Sequence, residues 1–209
     1  MTKSPWESQR ERLVDNLLAV YARRTLSTEQ DGHVWYPKAR QIVREWSQTY
    51  NLPVNTVASV IAAISPQCDW ERNLIIADDV LANRAISIGG CLGKNLSRAR
   101  LIREQRTGRL ADLMLLFPQG PKVNCFAWNL AGHDNIVTID THGIQAALDD
   151  VTATITLKWT PYRIFAECYA TAAARVGLSP TTFQATIWCT WKHLHPRVSK
   201  IQARTRWAA

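Results

Sequence analysis

The sequence predicts an all-α protein, and three observations carry that prediction. Apolar residues recur at three- and four-residue intervals along most of the chain. Proline and glycine punctuate the ends of those stretches. Strand-like alternation is limited to one segment, residues 151–159, which has no second strand to pair with.

The elements follow in order. Leu13, Leu17, Val20 and Tyr21 form one apolar stripe at helical spacing. Ala39, Ile42, Val43 and Trp46 form a second, in a helix opened by Pro37. Val57, Val60, Ile61 and Ile64 mark a third helix, apolar on most sides and therefore buried. Residues 69–83 give a fourth, with Leu74, Ala77 and Leu81 facing inward. Residues 85–95, which hold Gly89, Gly90 and Gly93, read as a loop. Short helices follow around 97–105 and 109–116. Pro118, Gly120 and Pro121 then make a tight turn, with Pro121 at the start of the next helix. Val123, Phe126, Ala127 and Leu130 are that helix's apolar face and Gly132 its end. Residues 136–139 are extended and lead into Asp140-Thr141-His142, ahead of a helix through Ile144, Ala147 and Leu148. Residues 151–159 form an extended connector. Thr160-Pro161 and Ser179-Pro180 each pair an N-cap with a first-turn proline and open helices over about 161–175 and 180–194.

Composition narrows the class of partner. A chain of 209 residues fits one domain or two small helical lobes, and 46% hydrophobic content supports a packed core. The formal charge of +8 and a pI near 9.5 favour a polyanion, nucleic acid first, with a solvated basic face as the alternative. No acidic residue follows Glu167, whereas Arg175, Lys192, Arg197, Lys200, Arg204 and Arg206 do; this basic tail is a candidate for phosphate contacts. Five widely spaced cysteines argue against a disulfide framework or a zinc knuckle and predict reduced thiols in a cytoplasmic protein. The polar N-terminus has no signal-peptide apolar region and no run is long enough to span a bilayer, so no membrane partner is expected.

The chemistry concentrates in two stretches, Phe117-Pro118-Gln119-Gly120-Pro121-Lys122-Val123 and Ile139-Asp140-Thr141-His142. A glycine-containing turn feeding a helix N-terminus presents unpaired backbone N–H groups to an anion such as a phosphate. By itself such a turn is an ordinary helix connection. A lysine just inside that helix and a carboxylate opening the next can converge on one pocket, and here Lys122 and Asp140 stand 18 positions apart. Other aromatic groups read mainly as core: Trp128, and the Gln184, Trp188 and Trp191 stripe at helical spacing. Residues 32–40 mix aromatic and basic groups, as nucleic-acid surfaces do.

These stretches resemble the helix-hairpin-helix Gly/Pro-Asp superfamily of DNA glycosylases, which includes endonuclease III and 8-oxoguanine glycosylase. Gly120-Pro121-Lys122-Val123 is similar to the end of its hairpin, and residues 137–142 to its aspartate segment. Ser65-Pro66-Gln67-Cys68-Asp69-Trp70-Glu71-Arg72-Asn73 resembles its Ser-x-Gln-x-x-Asp-x-x-x-Asn segment, and residues 92–102 more weakly its following helix. The resemblance implies a two-lobed helical fold over residues 1–209 as one unit. Its motif-bearing part is about 55–150, with the hairpin at 110–131; residues 1–54 and 151–209 form the rest of the body. It implies a DNA N-glycosylase, possessing or lacking lyase activity, that flips a damaged or modified base out of the duplex. Lys122 is then the nucleophile and Asp140 the carboxylate. Gln67, Trp70, Asn73, Gly120, Pro121 and His142 are then substrate or DNA contacts.

The implied protein is a monomer that works on DNA in the cytoplasm, at the nucleoid or in a phage-infected cell. It has no iron–sulfur cluster, because the four-cysteine loop is missing, and a monovalent cation at the hairpin is the one ion it leaves room for. The hairpin departs from the family at Pro118, which replaces its first glycine, and at Gln119, which fills an apolar position. Two other readings stand beside this one: a phage-type enzyme of the same fold acting on modified thymine, and a non-catalytic DNA-binding module.

Overall fold

A computed structural model describes residues 5–106, 109–118 and 120–196; Gln119 and the basic residues from Arg197 onward lie outside these. The protein is all-helical, with no strand among the described residues. A short 3-10 turn (Glu7–Gln9) precedes α1 (Arg10–Ala22), α2 (Leu26–Thr49), α3 (Val54–Ile64), α4 (Trp70–Leu81) and α5 (Gly93–Gln105). Then follow α6 (Leu110–Leu116), α7 (Pro121–Ala131), α8 (Thr141–Leu148), α9 (Trp159–Arg175) and α10 (Pro180–Leu194). No helix of the described residues is long and apolar enough to cross a membrane.

Three boundaries depart from the sequence reading. Pro37 does not open α2 but sits inside it. The helix starts at Leu26, where Thr25 and Thr28 close a reciprocal capping box: the Thr28 N–H donates to Thr25 Oγ1 at 3.2 Å and the Thr25 N–H to Thr28 Oγ1 at 3.0 Å. Pro37 lies on the exposed side of α2, as does His33, four residues before it, whose carbonyl loses its helical donor, and the helix continues. Similarly, α9 begins at Trp159 rather than after Thr160, with Pro161 at its third position. First-turn N–H groups have no partner inside a helix, so a proline there removes nothing. The helix α5 starts at Gly93, inside the expected loop, and buries Asn95.

The buried residues fall into two clusters. One gathers α2 to α7 around α3, whose residues from Thr56 to Ile64 are all buried. The other gathers α1, α8, α9 and α10 with Val137, Ile139 and Leu157. Their main seam is the crossing of α2 on α10. Gly32 allows it: a Cβ there would lie 2.5 Å from Thr186 Cα and 2.7 Å from its backbone nitrogen. Across the same seam the Tyr36 hydroxyl lies 3.1 Å from Gln184 Oε1, and the Thr190 hydroxyl 3.3 Å from Thr28 Oγ1. Gly32→Ala should therefore destabilise the protein by about 1–3 kcal/mol despite alanine's higher helix propensity, because backbone cannot rotate away as a side chain can. Thermal denaturation checks this; an unchanged or higher melting temperature would show that the two helices separate without cost.

Candidate functional site

The site is assembled by the turn before α7 and the extended segment before α8. The turn is tied from three sides. Gly120 N–H donates to Phe117 O at 3.0 Å, and Asn124 Nδ2 donates to Phe117 O at 3.0 Å and to Gly120 O at 2.9 Å. Trp159 Nε1 donates to Pro118 O at 2.8 Å, so the start of α9 holds the turn, and the Arg98 guanidinium lies 4.6 Å over the Phe117 ring. Gly120 is the N-cap of α7 and the buried Pro121 its first residue. Lys122 follows at the second position, half-buried.

Asp140 reaches the same region from the opposite cluster. It is the N-cap of α8, and its Oδ1 accepts the Gly143 N–H at 2.9 Å. The carboxylate thus sits where the helix dipole favours negative charge. Its Oδ2 accepts the Trp188 Nε1–H at 3.0 Å. The segment that delivers it is fixed from two sides. Ile139 N–H donates to the Tyr162 hydroxyl at 2.8 Å, which donates to Val137 O at 2.9 Å. Asn129, fully buried, donates to His133 O and Ile136 O, each at 2.8 Å, and accepts the Thr138 hydroxyl at 2.6 Å.

Lys122 and Asp140 are near enough to interact electrostatically. Burial pushes the Lys122 amine below its usual range, and the charge of Asp140 pulls against that shift without cancelling it. The positive end of α7 works in the same direction as burial. Burial and the Asp140 charge together also raise the Tyr169 hydroxyl. Cys125, one turn beyond Lys122, is pushed up to about 11 by burial and is a thiol at neutral pH. All five cysteines are free.

An aromatic cleft of about 300 Å³ is connected to Asp140 through Trp188. Its walls include Asp31, Trp35 and Lys38 from α2, Trp70 from α4, and Trp188 and Cys189 from α10. The Trp35 and Trp70 rings stand 5.2 Å apart and the Trp35 and Trp188 rings 6.3 Å apart. Neither Lys122 nor Asp140 lines the cleft; Trp188 belongs to its wall and bonds Asp140.

The other expected contacts divide. Trp70 is in the cleft. His142 is half-buried, with its Nδ1 3.3 Å from Gln145 Oε1 and its ring 6.4 Å from Trp188. Gln67 is exposed at a left-handed position, φ +60°, where it is free to reach outward. Asn73, expected at the DNA, is instead buried: it is 1% exposed and its Nδ2 donates to Ile61 O at 3.1 Å, joining α4 to α3. It offers a duplex no surface. Trp128 packs on His133, at 5.0 Å, away from the cleft. Residues 32–40 are the middle of α2, where Tyr36 and Ala39 are buried and Trp35 and Lys38 face the cleft. Sequence reasoning missed Asn129, Tyr162 and Trp188 as partners of the Asp140 segment. Among the described residues no three His, Cys, Asp or Glu side chains gather to hold a metal ion.

These features define an all-helical protein with a desolvated lysine, a capped carboxylate and an aromatic cleft whose Trp188 wall bonds that carboxylate. The chain belongs to a family of unknown function, DUF7178, whose profile matches residues 1–195. No curated protein and no solved structure matches it.

Proposed function

We propose that the protein acts on DNA as a helix-hairpin-helix-type N-glycosylase with a lysine nucleophile. The observation that carries the reading is the Asp140 carboxylate, held by the α8 N-terminus and by Trp188 of the cleft wall, within electrostatic reach of the desolvated Lys122 amine at the start of α7. A lowered amine basicity supplies the neutral nucleophile such chemistry needs. The cleft receives a flipped base, which stacks on indole faces. The basic net charge favours a polyanion, and the positive end of the α7 dipole favours a phosphate near Lys122.

In this reaction the Lys122 nitrogen bonds to the sugar C1′ as the C1′–N glycosidic bond breaks and its electron pair leaves with the base. Asp140 faces the positive charge that develops at C1′. It takes the proton released from the alkylated Lys122 nitrogen and passes it to the departing base. The second nitrogen proton moves to the ring oxygen as the sugar opens to an imine.

The test is base release from a panel of duplexes carrying damaged or modified bases. Asp140→Asn should slow release by about 10²–10⁴-fold. Asparagine is as good an N-cap as aspartate, so the fold and DNA affinity should hold. Altered bases detected by mass spectrometry without release would favour the base-remodelling reaction. DNA binding with neither outcome would leave only a binding protein.

A further inference from the structure

We propose that Trp188 is a positioning residue for the Asp140 carboxylate. The proposal rests on the reading of Asp140 as the reacting carboxylate. One N-cap bond, from the Gly143 N–H to Oδ1, leaves the carboxylate free to swing about it. The second bond, from Trp188 Nε1 to Oδ2 at 3.0 Å, comes from a different helix and fixes the plane. An indole N–H is a donor only, so it cannot turn round to accept and release the oxygen.

The indole is itself held. The Lys192 ammonium lies 3.9 Å over its ring, with the Trp35 ring at 6.3 Å and the His142 ring at 6.4 Å. Its neighbour on the same helix, Trp191, is 1% exposed and serves the core, whereas Trp188 is half-buried and lines the cleft. One side chain therefore lines the cleft and, through its N–H edge, orients the carboxylate.

Trp188→Phe separates these tasks, because it keeps an aromatic wall and removes the donor. The probe is a duplex with an abasic site, whose aldehyde condenses with the Lys122 amine to an imine and water; borohydride hydride then reduces the imine to a stable amine. In the full chain, the maximal trapping rate should fall about 10- to 100-fold, the range a hydrogen bond to a charged group commands. The DNA concentration for half-saturation should stay within about twofold, since no phosphate or wall contact is lost. Trp188→Ala should slow trapping at least as much, and its half-saturation should also hold, because an abasic site has no base to stack on the wall. A second readout needs no DNA: the Trp188 indole N–H resonance, assigned by its loss in Trp188→Phe, should shift and exchange faster in Asp140→Ala. An unchanged maximal rate in Trp188→Phe alongside a slowed Asp140→Asn overturns the proposal, as does an indole resonance indifferent to Asp140→Ala. If wild-type protein forms no adduct, the lysine-nucleophile reading fails, and the indole resonance alone decides whether Trp188 holds Asp140.

Discussion

Lys122→Met is expected to abolish covalent trapping on abasic-site DNA while raising the melting temperature. Both effects have one cause. Burial disfavours the ammonium form, so the folded protein holds this proton less tightly than the unfolded chain does. Below the lowered value, Lys122 is charged in both states and the folded state bears the full cost of its desolvation. Between that value and the ordinary 10.5, the unfolded chain binds more protons than the folded one, so wild-type stability rises with pH. Above 10.5 the cost is gone. Methionine has a similar length and no charge to desolvate. The advantage of Lys122→Met should therefore be largest at neutral pH and shrink as pH climbs toward the lysine value. For a protein of this size each kcal/mol of relief moves the melting temperature by about 2–4 °C. Thermal unfolding at pH 7 and above pH 10, beside the trapping assay, measures it. A variant that melts lower at pH 7 would mean that the ammonium is stabilising, and a surviving adduct would move the nucleophile elsewhere.

What the sequence made legible was local. The tight turn marked by Pro118 and Gly120, α7 with its apolar face and its Gly132 end, α3 buried from Thr56 to Ile64 and the Ser179-Pro180 start of α10 all depend on neighbours within a few residues. Lys122 and Asp140 were visible because each opens a helix. The boundary of α2 was not, because Pro37 reads as a helix start, whereas the Thr25–Thr28 capping box opens the helix well before it and the helix runs through the proline. The supports of Asp140 were hidden because packing brings them to it. Trp188 stands 48 positions from Asp140, and its place in an aromatic stripe reads as core. Asn73, placed by motif on the DNA side, turns inward because α4 packs on α3.

Asn129 is the residue whose loss should cost the fold and the site most together. It lies in α7, fully buried, and its Nδ2 also lies 3.1 Å from the Thr181 hydroxyl of α10. Its amide thus connects α7, the segment before α8 and α10. Asn129→Leu preserves the volume but leaves the Thr138 hydroxyl without its 2.6 Å acceptor and the Ile136 and His133 carbonyls without their amide donor. The Thr181 hydroxyl lies 2.9 Å from Ile136 O but has a single proton and a nearer acceptor, Asp134 O at 2.8 Å. A buried polar group left unmade costs about 1–3 kcal/mol, so the sum should be roughly 3–5 kcal/mol and about 10 °C in melting temperature. Asp140 hangs from the end of this segment, so base release should fall further than the loss of folded protein explains when assayed well below the melting point. Tyr162→Phe, which removes the other tether of the segment, should act in the same direction. A variant that melts within about 2 °C of wild type, less than the smallest expected single loss, would show that the amide network does not hold the Asp140 segment in place.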